Sequence, residues 1–315
     1  MAGFGVTAPL VSIVLSLFMA GLALGSAGAG RLARGRGPRG AGTVYGLVEL
    51  GIATSGLVVG PALEGGRVLL FRLGEGVQWG SFGHYLFAGA WLAAVLLPYC
   101  IAMGATFPLA MAALGGRGFG RSFSHLYLAN VLGACLGALL SAFVLIELVG
   151  FRWTLRGAAL LNTAVGLGAI LWSRLGRVPD AGADAPPAPA TSLPTEPRLL
   201  FLTGLVSMGA EVVWVRQYTP YLGTVVYAFA TILGTYLLAT FAGTLAYRLR
   251  ATRGAPSIGT LWAGLGLSSL LPLLATDPRL PLGFGFPSGV LRLLLGIAPF
   301  CAGLGFLTPL LVDRF

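Results

Sequence analysis

Apolar runs about as long as a bilayer-spanning helix fill this chain and leave it few ways to fold in water. Nine can be read, roughly from Pro9 to Ala29, Val44 to Leu63, Tyr85 to Leu114, Leu126 to Leu148, Leu155 to Leu175, Leu199 to Trp214, Val225 to Tyr247, Ile258 to Leu274 and Val290 to Val312. Hydrophobic residues make up 56% of the chain and charged residues 10%, whereas a soluble domain carries about 25% charged residues. Lipid offers no partners to backbone N–H and C=O groups, so each run must satisfy its own by forming a helix. The fold class expected is an all-α membrane protein, with the lipid bilayer as its first partner.

The net charge of +10 comes from 20 arginines and no lysine. In a soluble domain this would suggest nucleic acid, but here the arginines flank apolar runs, so no nucleic-acid partner is expected. If the first span runs inward, thirteen arginines fall on one side and seven on the other. The richer side is the cytoplasm. That places the N-terminus outside, together with a long loop from Glu64 to His84. The segment 178–197 is rich in proline and alanine, too poor in apolar bulk to fold, and reads as a cytoplasmic linker. It divides the chain into an N-terminal half-bundle, 1–177, with about five spans, and a C-terminal half-bundle, 198–315, with about four.

Two stretches repeat. Pro98-Tyr99-Cys100-Ile101-Ala102-Met103-Gly104-Ala105-Thr106-Phe107-Pro108-Leu109 returns 201 residues later as Pro299-Phe300-Cys301-Ala302-Gly303-Leu304-Gly305-Phe306-Leu307-Thr308-Pro309-Leu310. Arg31-Leu32-Ala33-Arg34-Gly35-Arg36-Gly37 returns at an offset of 217 as Arg248-Leu249-Arg250-Ala251-Thr252-Arg253-Gly254. The first span then pairs with the seventh and the third with the ninth, and both members of each pair run the same way. A parallel duplication with six helices between equivalents is the arrangement of major-facilitator bundles. By that reading the opening helix of the first half and the last two of the second are absent, and the bundle is incomplete.

Forty-nine glycines need a packing role in such helices. Gly21 with Gly25, and Gly133 with Gly137, form GxxxG pairs that let backbones approach closely. Three carboxylates fall in or near apolar runs: Glu49, Glu147 and Glu211. Glu147 is near a span end, within reach of headgroups or water. A carboxylate in the bilayer core costs several kcal/mol, so Glu49 and Glu211 must face a partner or a cavity, or stay protonated. Two readings stay open for them: a proton or cation site, or an interhelical hydrogen bond that fixes packing. Tyr127 and Asn130 in the fourth span are candidates to line a pathway. Trp214 and Arg216 read as anchors at the outer interface. Cys100, Cys135 and Cys301 lack metal-ligand spacing and read as small packing residues. No metal site, cofactor site or catalytic constellation is visible: there is no glycine-rich phosphate loop and no nucleophile elbow.

The segment Gly209-Ala210-Glu211-Val212-Val213-Trp214-Val215-Arg216, followed by Gly223, Tyr227-Ala228-Phe229 and Ile232-Leu233, resembles the membrane region of spermidine-synthase-like bacterial membrane proteins. These fuse a major-facilitator-like bundle to a cytoplasmic aminopropyltransferase-type domain. Phe18 to Ser26, Met103 to Leu109, Leu126 to Ala134 and Glu49 to Ile52 continue the likeness in order. The resemblance implies a bacterial inner-membrane location and a polyamine or other small cation as the solute. The aminopropyltransferase-type domain is absent here, so its activity does not carry over. Two functions follow as expectations: a major-facilitator-like solute transporter, or a membrane scaffold that anchors a soluble synthase-like domain or another membrane subunit.

Overall fold

The computed structural model describes residues 8–72, 80–114, 119–175, 195–223, 225–250, 257–283 and 285–312, and among these there is no strand. The helices are α1 (Ala8–Ala33), α2 (Pro38–Arg72), α3 (Phe82–Ala113), α4 (Phe119–Leu140), α5 (Ile146–Leu175), α6 (Thr195–Leu222), α7 (Val225–Arg250), α8 (Ile258–Ser268), α9 (Leu271–Ala275) and α10 (Phe286–Val312). A π-helical turn, Ser141–Leu145, joins α4 to α5. Seven helices among the described residues are long and apolar enough to cross a membrane, so the chain is a multi-pass membrane protein by length and composition. One of the seven, His125–Leu175, is 51 residues long. At about 1.5 Å per residue it is more than twice the roughly 30 Å of a hydrocarbon core. It is not one rod: Gly150 sits at φ 78° and ψ 166°, where only glycine is unstrained, and breaks it.

The chain forms two compact units, 1–117 with 151–186 and 118–150 with 187–315. Their division within the long helix falls at that same Gly150. The segment 118–150 therefore packs with the C-terminal helices. Residues 176–194, most of the expected linker, lie outside the described residues.

Unit 1 is built on α1, α2, α3 and the part of α5 after Gly150. Close backbone contact holds α1 to α3: a Cβ on Gly25 would overlap the Ile101 carbonyl, and one on Gly104 would lie 2.6 Å from the Leu22 Cα. Gly21 faces Cys100 in the same seam. Helix α2 meets α5 just as closely, since a Cβ on Gly46 would lie 2.6 Å from the Gly166 carbonyl oxygen and one on Gly166 2.8 Å from that of Gly46. Small residues permit this approach, and the gain is van der Waals packing rather than a hydrophobic drive.

Of the expected loop from Glu64 to His84, residues 64–72 and 82–84 are helical, and 73–79 lie outside the described residues. Helix α2 runs on to Arg72, and α3 begins at Phe82. Glu64 ended the apolar run but not the helix, because it pairs one turn on with Arg67, whose Nη2 lies 2.6 Å from Glu64 Oε1.

Unit 2 repeats the seam of unit 1. A Cβ on Gly243 would overlap the Ala302 carbonyl, and one on Gly305 would lie 2.7 Å from the Thr240 Cα. Ile101 and Ala302, like Gly104 and Gly305, are 201 apart, as the sequence echo requires. Gly25 with Gly243, and Leu22 with Thr240, are 218 apart. The packed register thus differs by one residue from the 217 of the arginine echo. The glycines are pinned by contact; the arginines are at a helix end and are not. Around α7 and α10 lies the largest core of the unit, with Trp214, Tyr218, Ile232, Leu293, Ile297, Phe300 and Leu307 all buried.

Candidate functional site

Helix α6 turns one stripe inward. Ser207, Glu211, Trp214, Val215, Tyr218 and Leu222 are its buried residues, and their spacing of 4, 3, 1, 3 and 4 is one helix face. Glu211, 4% exposed, therefore lies on the packed side of α6 rather than towards lipid. Helix α6 packs on both α7 and α10, and each supplies Glu211 with a polar neighbour. Tyr236 of α7 and Cys301 of α10 are within electrostatic reach of the carboxylate. Ser207 is a further polar neighbour of Tyr236, and its hydroxyl donates to the Gly204 carbonyl at 3.1 Å. Tyr127 of α4 also lies within electrostatic reach of Tyr236. Helices α6, α7 and α10 of unit 2 thus each bring a polar group near the Glu211 carboxylate. No ion pair with Glu211 is formed among the described residues.

The other expected site residues separate. Asn130, three residues after Tyr127, is exposed. Glu49 belongs to unit 1, where it is buried on α2 beside Tyr45, four residues earlier on the same helix. Its Cβ lies 3.2 Å from where a Cβ on Gly166 would sit, so it borders the α2–α5 seam. Glu147 accepts a hydrogen bond from the Tyr227 hydroxyl.

Two expectations need correcting. Trp214 is not an interfacial anchor: it is 4% exposed and meets Phe300 edge to face at 5.8 Å, inside the core. Helix α6 continues for two further turns past it, so Arg216, which is exposed, is not at a span end. Gly133 and Gly137, unlike Gly21 and Gly25, have no atom within 4 Å of a Cβ position. Their spacing matches a packing motif, but no backbone among the described residues approaches it.

Arg292 is a polar centre that the sequence did not single out. It is fully buried, with Nη1 donating to the carbonyls of Ala275 (2.8 Å) and Asp277 (2.9 Å) and Nη2 to that of Leu280 (3.0 Å). Its guanidinium also lies 4.8 Å from the centre of the Tyr221 ring. These bonds tie the segment after α9 to α10, satisfying carbonyls that the end of α9 leaves open. Read from sequence, an arginine near a span end is an orienting charge; its three carbonyl partners come from a bend that no local pattern announces.

No protein family, characterised protein or solved structure matches the chain.

Proposed function

We propose that the chain is a major-facilitator-like membrane domain that moves a small cation, with Glu211 as the carboxylate that binds it or couples its movement. The observation that carries this reading is the burial of Glu211 near Tyr236, Cys301 and Ser207, where no arginine among the described residues pairs with it. A carboxylate placed in the apolar core costs roughly 2.5–3.5 kcal/mol. Packing alone would be served better by an apolar residue of the same size. Ring and thiol groups around an acid give it polar contacts without cancelling its charge.

The seam shared by α1–α3 and α7–α10 supports a parallel duplication of the bundle. The break at Gly150 divides His125–Leu175 into two crossings, and α6 adds another, which together support nine spans. The arginine bias supports an N-terminus outside and a linker in the cytoplasm, and the family resemblance alone supports a bacterial inner membrane. A polyamine is the solute in this reading, on the family resemblance.

Uptake of a labelled polyamine into proteoliposomes tests the proposal. The parent is expected to accumulate label above empty liposomes, and Glu211→Gln to lose at least about tenfold of that rate, a barrier change of about 1.4 kcal/mol. Equal uptake by both removes Glu211 from the mechanism. Uptake by neither above the liposome background leaves the scaffold reading in its place.

A further inference from the structure

At the end of unit 2 where α7 and α10 begin, three aromatic rings and an acid from four elements converge. Phe143 comes from the π-helical turn, Glu147 from the first turn of α5, Tyr227 from the start of α7 and Phe286 from the start of α10. Phe143 stacks on Tyr227 with centroids 5.4 Å apart and planes 17° from parallel. Phe286 meets Phe143 at 5.9 Å and 64°. The Tyr227 hydroxyl donates to Glu147 Oε1, so Tyr227 holds ring and acid together. Phe143, Phe286 and Glu147 are all exposed.

The π-helical turn lies at the centre of this arrangement. Its signature is the Ile146 N–H bonding the Ser141 carbonyl, five residues back. Such turns interrupt regular α-helical bonding and are frequent at functional positions. Here the turn carries Phe143, and four residues later Glu147 reaches the same tyrosine. The acid is held by a phenol rather than by a cation: no arginine of unit 2 forms an ion pair with it among the described residues. A carboxylate beside open aromatic faces is complementary to one chemical group. Aromatic quadrupoles attract a cation that is also apolar in outline, and the carboxylate supplies the counter-charge. A metal ion would need more oxygen ligands than one acid, and an anion would be repelled.

We propose that Phe143, Glu147, Tyr227 and Phe286 form a binding site for an alkylammonium group, distinct from the Glu211 cluster. The same chemistry is offered by a free amine and by the headgroup of an amino-phospholipid. Recognition does not depend on transport, so the site stands whether or not Glu211 carries a solute.

Isothermal titration of the 315-residue chain in phosphatidylglycerol nanodiscs tests this, with butylammonium as probe and butanol as its uncharged counterpart. All measurements are made in a Glu211→Gln background, so that the buried acid contributes nothing and failure of one site is not mistaken for failure of the other. Saturable heat with butylammonium and none with butanol is expected. Adding Glu147→Gln should weaken binding at least about tenfold, and Phe143→Leu severalfold. Phe143→Leu also keeps the test decisive should Glu147→Gln fail to fold, and Glu64→Gln controls for loss of a surface charge elsewhere. Exchanging the lipid for phosphatidylethanolamine separates the sources: competition by the headgroup lowers the apparent affinity, and a site for free amines is unaffected. The proposal is overturned if butylammonium gives no saturable heat, or if Glu147→Gln and Phe143→Leu both bind it as the parent does.

Discussion

The α1–α3 pair of unit 1 and the α7–α10 pair of unit 2 are one packing solution written twice, and they differ in what has been added. Both seams place a glycine of one helix on a carbonyl of the other, at Gly25 and Gly104 in the first and Gly243 and Gly305 in the second. In unit 2 the seam also carries hydrogen bonds. Thr244 Oγ1 donates to the Gly305 carbonyl at 2.8 Å, and Thr240 Oγ1 to that of Cys301 at 3.5 Å. At the packed register of 218 residues, the unit 1 equivalents of Thr240 and Thr244 are Leu22 and Ser26, and Ser26 is exposed. Unit 2 further has α6 against both helices, and no counterpart of α6 is found among the described residues of unit 1. Backbone contact is thus the shared part; the acid and its polar neighbours belong to one copy.

A second matched position makes the same point. Trp91 and Arg292 are 201 residues apart, and both donate to backbone carbonyls outside their own helix, Trp91 to one inside α2 and Arg292 to three at and beyond the end of α9. Trp91 Nε1 bonds the Ala62 carbonyl at 2.9 Å, whereas Arg292 bonds three carbonyls with a buried charge. Arg292→Leu is therefore expected to cost about 3 kcal/mol and Trp91→Phe about 1 kcal/mol, as read from denaturant titration. A smaller loss for Arg292→Leu than for Trp91→Phe would break the comparison.

These positions also show how far the sequence could be read. That Glu211 needs a partner, a cavity or a proton was legible from its place in an apolar run; the buried face it shares with Trp214 and Tyr218 was not, because Trp214 near the end of that run read as an interfacial anchor. The break near Gly150 was legible as well, from the change to Arg152 and Arg156 after a long apolar stretch. Arg292 was not, since its carbonyl partners lie beyond a chain reversal and only the fold brings them to it. Nor was the length of α2, because an apolar run marks where lipid ends and not where a helix does. The GxxxG spacing was read equally at Gly21–Gly25 and Gly133–Gly137, yet only the first pair meets a backbone. Spacing puts two glycines on one face; which helix arrives there is a tertiary fact.

The smaller predicted effects follow from the same comparison. Thr244→Val removes a cross-helix bond present in one seam, and should cost about 0.6 kcal/mol, typical of such bonds in membrane helices. Ser26→Ala, at the equivalent position in the other seam, should leave the unfolding midpoint unchanged. A loss for Ser26→Ala as large as that for Thr244→Val would mean the polar seam is common to both units. Gly133→Ala and Gly137→Ala should be neutral or slightly stabilising, because open space surrounds a Cβ there and alanine favours the helix. Destabilisation by more than about 1 kcal/mol would place a backbone against that face.

Both units close the same glycine seam, so filling it should cost the same in each. Unfolding by denaturing detergent of Gly25→Ala, Gly243→Ala, Gly104→Ala and Gly305→Ala measures it directly. Each added methyl must displace a neighbouring backbone, so each variant is predicted to lose about 1–3 kcal/mol, with Gly25 matching Gly243 and Gly104 matching Gly305 to within about 1 kcal/mol. A variant that unfolds like the parent while its 218- or 201-residue counterpart is destabilised would contradict the shared seam.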